Sequence, residues 1–223
     1  MRCATARLTG ESAATAIFEA WYQQIPQHIF ADELGEDLWQ NYQGQSDLIA
    51  SELPSLLQGK GGAWCDDVST PQVEDCETVL GAALKDGLAQ MAQRQGSDDV
   101  KSWRWDRVHS AVFPHNPLDN VPPLRPIFSR RIPTGGDGFT IDVAPVQRRD
   151  LYNDYHVPSY RQIVDLSDLG NSRFMNTLGQ SGYVLSGNYS NLLDRWQRVE
   201  YLPMRYDTNA INGAAGGRLV LEP

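Results

Sequence analysis

Acyl-transfer chemistry needs a hydroxyl or thiol with a base beside it, so the serines, cysteines and histidines come first. A serine-hydrolase elbow presents Gly-x-Ser-x-Gly on a strand-to-helix turn. The nearest match is Gly179-Gln-Ser181-Gly182, which lacks that spacing and reads as a turn after a strand. A Ser-x-x-Lys pair is absent, because the lysines are Lys60, Lys85 and Lys101. Gly59-Lys60-Gly61 has neither the earlier glycine nor the following Ser or Thr of a phosphate loop. The histidines are His28, His109, His115 and His156, and none forms a His-x-x-x-His pair. His115 and His156, with Asp154, form a conceivable metal set, but ordinary hydrogen-bonded histidines are the simpler reading. A site built on Ser181 with His109 or His156 remains one functional hypothesis.

Cys65 and Cys76 stand eleven residues apart, with a third cysteine at Cys3. Zinc ligands come in closer pairs, and a second pair is missing. A disulfide closing the loop before a helix fits better, and two buried free thiols are the alternative. The disulfide would imply an oxidising compartment.

Gly135-Gly136-Asp137-Gly138 precedes Phe139-Thr-Ile-Asp-Val. Glycines there permit positive φ or close backbone approach, and Asp137 can hydrogen-bond the turn. A phosphate cradle needs a helix next, whereas a strand is expected. The predicted structure is a tight turn feeding a core strand.

The first hundred residues read as helical. Thr9 and Ser12 signal a start, and Ala13, Ala16, Ile17, Ala20 and Trp21 share one face. Pro26 is expected to break or kink that helix. Leu48, Ile49, Leu53, Leu56 and Leu57 predict a second helix, ended by the glycines after Gln58. A third is expected from a cap at Ser69 or Thr70, with Pro71 in its first turn, to Gly96. Its stripe runs through Val73, Cys76, Leu80, Ala83, Leu84, Leu88 and Met91. Short β-type runs follow at 107–113, 139–144, 160–166, 174–178 and 218–221. A late helix is expected over 188–197, and the Pro-rich segment 114–133 reads as an extended surface excursion.

The net charge of -9 argues against nucleic acid, which requires a basic face to release counterions. Arg130-Arg131 and Arg148-Arg149 are too short for such a patch and read as solvated surface. No run reaches the roughly 20 apolar residues of a membrane helix, so no membrane partner is expected. The basic start Met1-Arg-Cys-Ala-Thr-Ala-Arg-Leu has no apolar run after it, so any export signal is expected upstream.

The ordered series of motifs resembles the penicillin acylase (penicillin amidase) family, on the acyl-homoserine-lactone and aculeacin-type branch. It is carried by Arg104-Trp-Asp-Arg-Val-His109, Phe113-Pro-His115, Arg131-Ile-Pro-Thr-Gly-Gly-Asp-Gly-Phe-Thr140 and Pro158-Ser-Tyr-Arg-Gln-Ile-Val-Asp165. Gly179-Gln-Ser-Gly182, Trp196 and Glu200-Tyr-Leu-Pro-Met204 extend it. Ala31-Asp-Glu-Leu34, Trp64-Cys-Asp-Asp67 and Cys76 match in the first half, so the resemblance covers nearly the whole chain.

The resemblance implies an N-terminal-nucleophile hydrolase, freed by self-cleavage at a Gly-Ser step. The α-amine of its terminal serine acts as base for the adjacent hydroxyl. An oxyanion hole stabilises the tetrahedral intermediate, and an acyl-serine is then hydrolysed. The family's nucleophile is followed by Asn and then Trp. Here Gly96-Ser97 is followed by Asp98-Asp99, and Gly96 reads as a helix end, so Ser97 receives no catalytic role. Met1 has no nucleophilic side chain, and Cys3 has no activating context. The family's oxyanion Asn and calcium ligands belong to segments outside the match. No catalytic, cofactor-binding or metal-ligating residue is therefore assigned, and no cofactor is expected.

The implied fold is α+β, the C-terminal part of an αββα sandwich. A helical segment over 1–100 and a β-rich segment over 101–223 together form one incomplete domain. The leading function is the C-terminal segment of an acylase cleaving a linear amide of a penicillin, an acyl-homoserine lactone or a lipopeptide. The nucleophile lies outside this chain, so the chain alone is expected to be inactive. Its partners are the rest of the acylase and an acylated small-molecule amide, in the periplasm or secreted. The alternative is a non-catalytic binding or scaffold protein descended from such an acylase.

Overall fold

The computed structural model describes residues 8–42, 47–140, 142–146, 150 and 152–221. Cys3 and Ile141 lie outside them. The chain is α+β, with its long helices first and its short strands later. It divides into two compact units, Met1–Val157 and Pro158–Pro223.

Three helices dominate the first unit: α1 (Ala13–Tyr42), α2 (Asp47–Leu57) and α3 (Cys76–Gln95). Pro26 does not end α1. It is buried inside the helix, and the discontinuity falls at Gly35, whose φ of 68° and ψ of 169° suit glycine. Gly87 brings α1 and α3 together, since a Cβ there would stand 2.5 Å from the Ala20 carbonyl oxygen. Trp21 Nε1 donates across the same seam to Leu80 O at 3.0 Å. One apolar cluster centres on Ile25, Ile29, Ile49 and Leu80. A second joins Ala16, Ala20 and Met91 to Trp103, Trp105 and Tyr152. Each fully buried isoleucine contributes about 1.5–3 kcal/mol relative to an exposed one.

The third helix starts later than its sequence signals indicate. Asp75 is the cap, accepting from Thr78 N at 2.8 Å. Thr70 instead donates its hydroxyl to Glu74 Oε1 at 3.1 Å, inside a loop where Glu74 N reaches Asp66 Oδ1. Val73 accordingly stands exposed off the helix. The Cys65–Cys76 disulfide closes this loop and is buried. Gly96 ends α3 in the left-handed conformation, as its sequence position indicates.

The sheet of this unit has the order β2-β1-β3, from β1 (Ser110–Phe113), β2 (Arg130–Pro133) and β3 (Asn153–Asp154). β2 is antiparallel and β3 parallel to β1. The segment before β2 is not simply extended, because it forms a 3-10 turn at Leu118–Asn120 and the short helix α4 (Arg125–Phe128). The strand expected at 139–144 is replaced by one isolated bridge, Asp137 to Val143. Asp137 Oδ1 accepts from Phe139 N and Thr140 N, occupying amides that a strand would pair.

The second unit holds a sheet ordered β4-β5-β6, from β4 (Tyr160–Ile163), β5 (Arg173–Asn176) and β6 (Leu202–Pro203). The expected late helix shrinks to α5 (Leu193–Gln197), and α6 (Thr208–Ala214) appears without a strong sequence signal. Residues 218–221 are exposed and form no strand. Trp196 is the anchor of this unit. Its Nε1 donates to Pro158 O at 3.1 Å, and Arg161 lies over its ring at 4.3 Å. Tyr160, Ile163, Val164, Leu166 and Leu169 remain exposed on and after β4.

Candidate functional site

The densest polar chemistry is buried in the first unit, where α1 meets the Gly135–Gly138 turn. Glu19 is 3% exposed and faces Asp137, which is 8% exposed. Glu19 is on the buried face because it follows Ala16 by three residues and precedes Ala20. Burial, and then the neighbouring Asp137, push its carboxyl up to about 8. Glu19 is thus a carboxylic acid at neutral pH, hydrogen-bonded to Asp137.

The turn is rigid for identifiable reasons. Gly136 has a φ of 77°, and a Cβ on it would lie 1.9 Å from Asp142 O. Its N–H donates to Leu8 O at 2.8 Å, while its carbonyl accepts from Trp105 Nε1 at 3.0 Å. A Cβ on Gly135 would meet Gly10 N at 2.7 Å. The turn therefore clamps residues 8–10 against the body of the unit.

His109 stacks on Trp105 with ring centroids 4.6 Å apart. Its Nδ1 lies 3.1 Å from Tyr152 O, and burial pulls the imidazole down to about 4. The neutral ring then donates from Nδ1 to that carbonyl. Tyr152 donates its hydroxyl to Gln90 Oε1 at 2.6 Å, and Arg94 covers its ring at 3.8 Å. Thr15 Oγ1, Glu19 Oε1 and His109 Nε2 are buried without a hydrogen-bond partner among the described residues. An acid, a neutral imidazole and a hydroxyl are thus each buried in the first unit with one unpartnered polar atom. They can hold a proton and orient a polar group, and among the described residues no serine or cysteine side chain is bonded to Glu19 or His109.

The serines singled out by sequence are placed elsewhere. Ser181 N donates to Asn188 O, and its Oγ accepts from Tyr183 N at 3.1 Å. Its unit contains no histidine, since all four fall before Pro158. Ser97 follows the Gly96 cap, and its hydroxyl accepts from Asp99 N at 3.1 Å. Asp154 is fully buried, and its Oδ1 accepts from His156 N at 2.7 Å. Burial raises its carboxyl to about 6. His115 stacks edgewise on Phe128 instead of joining them. Among the described residues no group of three His, Cys, Asp or Glu is placed to hold a metal ion.

Sequence reasoning missed Glu19. The signal was present: a charged residue inside the Ala16–Ala20 stripe, where a solvated carboxylate cannot sit. Asp137 was read only as a turn residue.

The architecture and this interior define an α+β protein whose described residues show no complete catalytic constellation. The penicillin amidase family matches residues 5–213, and the chain belongs to that family. Among its relatives is the acyl-homoserine lactone acylase QuiP of Pseudomonas syringae pv. syringae, strain B728a. It is 30% identical over 232 residues, which cover 97% of this chain and 27% of the relative. The QuiP of Pseudomonas fluorescens strain Pf0-1 is 30% identical over 205 residues, covering 89% and 24%. The chain therefore spans about a quarter of the length of the curated relatives it matches. A solved thermostable penicillin G acylase from Alcaligenes faecalis aligns with a TM-score of 0.49 at 14% identity. That alignment covers 99% of this chain and 40% of the other.

Proposed function

We propose that this chain is the C-terminal segment of an acylase that hydrolyses a linear amide through an acyl-serine, with the nucleophile on polypeptide outside it. The observation that carries the reading is the family match over 5–213, in a chain about a quarter as long as its relatives. Internal chemistry agrees with it. Ser181 and Ser97 use their hydroxyls as acceptors for nearby amides, and among the described residues no basic side chain is bonded to either. The buried acid of Glu19 fixes a turn instead of activating a hydroxyl.

The rest of the acylase is the partner. An exposed apolar run from Tyr160 to Leu169, starting on an edge strand, is a surface that further polypeptide would cover. The relatives named for acyl-homoserine lactones make those amides the first substrates to try. Penicillins and acylated lipopeptides follow. The Cys65–Cys76 disulfide supports an exported protein in the periplasm or outside the cell. Among the described residues no helix is long and apolar enough to cross a membrane.

The test is reconstitution. The 223-residue chain alone should release no acid from acyl-homoserine lactones or penicillin G. Co-expression with a family polypeptide that begins at a Gly-Ser-Asn step should restore turnover. Hydrolysis by the chain alone, abolished by Ser181→Ala, would overturn the reading.

A further inference from the structure

A cleft lies in the first unit, between α4 and β2, and is rich in arginine in a chain of net charge -9. Its volume is about 490 Å3. Arg125, Arg130 and Arg131 line it, against one lining carboxylate, Asp119. Each guanidinium is anchored by hydrogen bonds. Arg125 Nε donates to Asp119 O at 3.0 Å, and Asp119 Oδ1 lies 3.4 Å away. Asp119 is itself fixed by the Ser129 hydroxyl, which donates at 2.6 Å. Arg130 Nη1 donates to the carbonyls of Ile127 and Ser129, both at 2.9 Å. Arg131 Nη2 donates to Asn153 Oδ1, and Asn153 Nδ2 in turn reaches Asp150. Among the described residues no carboxylate pairs directly with Arg131. Val112, Pro126 and Tyr155 line the remainder.

We propose that this cleft binds a small organic carboxylate, its head on Arg125 and Arg131 and its body against Val112, Pro126 and Tyr155. The guanidinium fork matches a carboxylate in two parallel hydrogen bonds. Anchoring each arginine beforehand reduces the rotamer freedom lost on binding. Among the described residues three arginines line the cleft against one carboxylate, Asp119, which suits an anion. The apolar walls give an organic body somewhere to lie, which a phosphate would not use. The site does not depend on the acylase reading, because it rests on the cleft's own arginines and apolar walls and not on the family match.

Ligand-observed NMR on the full 223-residue chain at low salt tests it, with benzoate, benzamide and inorganic phosphate as probes. Benzoate should bind, and benzamide should bind at least about tenfold more weakly, because it lacks the charge. Raising the salt should weaken benzoate binding. Arg131→Gln and Arg125→Gln should each weaken benzoate about fivefold, with melting curves taken first to show that each variant is folded. Tyr155→Ala should weaken benzoate. The proposal is overturned if benzamide binds equally, if phosphate binds as tightly as benzoate, or if both folded arginine variants keep parental affinity.

Discussion

Glu19 and Asp137 meet inside the first unit as a carboxylic acid and its acceptor, joining α1 to the turn that holds residues 8–10. Glu19 releases its proton near 4.5 when unfolded and near about 8 when folded. Between those values the native state binds one extra proton, so stability falls as pH rises. The slope is at most about 1.4 kcal/mol per pH unit, and it ends above the folded value. His109 acts in the opposite sense up to about 6.5, because its folded value is about 4. Asp154, raised to about 6, adds to the fall only below that value. Glu33 is also pushed up, to about 7, but it is exposed and solvent screening leaves its share small. The clean window for Glu19 is therefore from about pH 6.5 to 8. Urea midpoints there should drop in the parent by up to about 2 kcal/mol equivalent. Glu19→Gln keeps a donor and cannot ionise, so its midpoint should stay level. Parallel curves for the two would show that Glu19 does not carry the proton.

His109 is predicted to stay neutral through ordinary pH. Its ring resonances should not titrate until about pH 4, well below an exposed histidine such as those of unfolded peptides. His109→Phe keeps the stacking on Trp105 but loses the bond to Tyr152 O, at a cost of about 1 kcal/mol at neutral pH. His109 costs the parent stability as pH falls from about 6.5 towards 4, a contribution the variant lacks, while Glu19 and Asp154 act alike in both. The difference between them should therefore shrink, then reverse, on acidification. A constant difference in denaturant melts across that range counts against a neutral buried imidazole.

Legibility from sequence tracked how local the deciding forces are. The end of α3 was readable because Gly96 alone can adopt the left-handed cap cheaply. Its start was not, because Asp75 competes with Ser69 and Thr70, and the choice is made by Glu74 and Asp66 bracing a loop shut by the disulfide. Pro26 misled because a buried helical stretch can tolerate a missing donor when packing holds both sides. The run 139–144 has strand-like residues, yet Asp137 takes the amides that pairing needs. The α+β class and the family followed from ordered motifs, whereas the Glu19 interior required knowing that α1 lies on the turn. The arginines of β2 looked like solvated surface, because only the fold brings α4 and Tyr155 beside them.

The Cys65–Cys76 bond predicts a specific thiol count. Of three cysteines, only one should react with a thiol reagent in denaturant without reductant. Cys65→Ser with Cys76→Ser should cost about 3 kcal/mol by loop-closure entropy for an 11-residue separation. The loss should show as a lower urea midpoint, and reductant should lower the parent to the same value. Three reactive thiols in the untreated chain would remove the disulfide and the export argument with it.

Two glycines six positions apart in α3 give opposite expectations from the same substitution. Gly81 has open space where a Cβ would go and faces solvent within the helix. Gly81→Ala should stabilise by roughly 0.5–1 kcal/mol, by restricting the unfolded chain and improving helix propensity. Gly87 is buried, and its added Cβ would stand 2.5 Å from Ala20 O and 3.0 Å from Trp21 N. Both are backbone atoms, so nothing flexible can give way, and α1 must move off α3. Gly87→Ala should therefore destabilise by about 1–3 kcal/mol, the range for overpacking a close contact. Because Glu19 neighbours Ala20 on α1, the displacement should also weaken its bond to Asp137. The pH dependence between about 6.5 and 8 should then flatten in Gly87→Ala and persist in Gly81→Ala. Thermal melts of both variants at the two ends of that window decide the matter. Equal shifts for the two glycines would mean that α1 and α3 are not seated as closely as Gly87 requires.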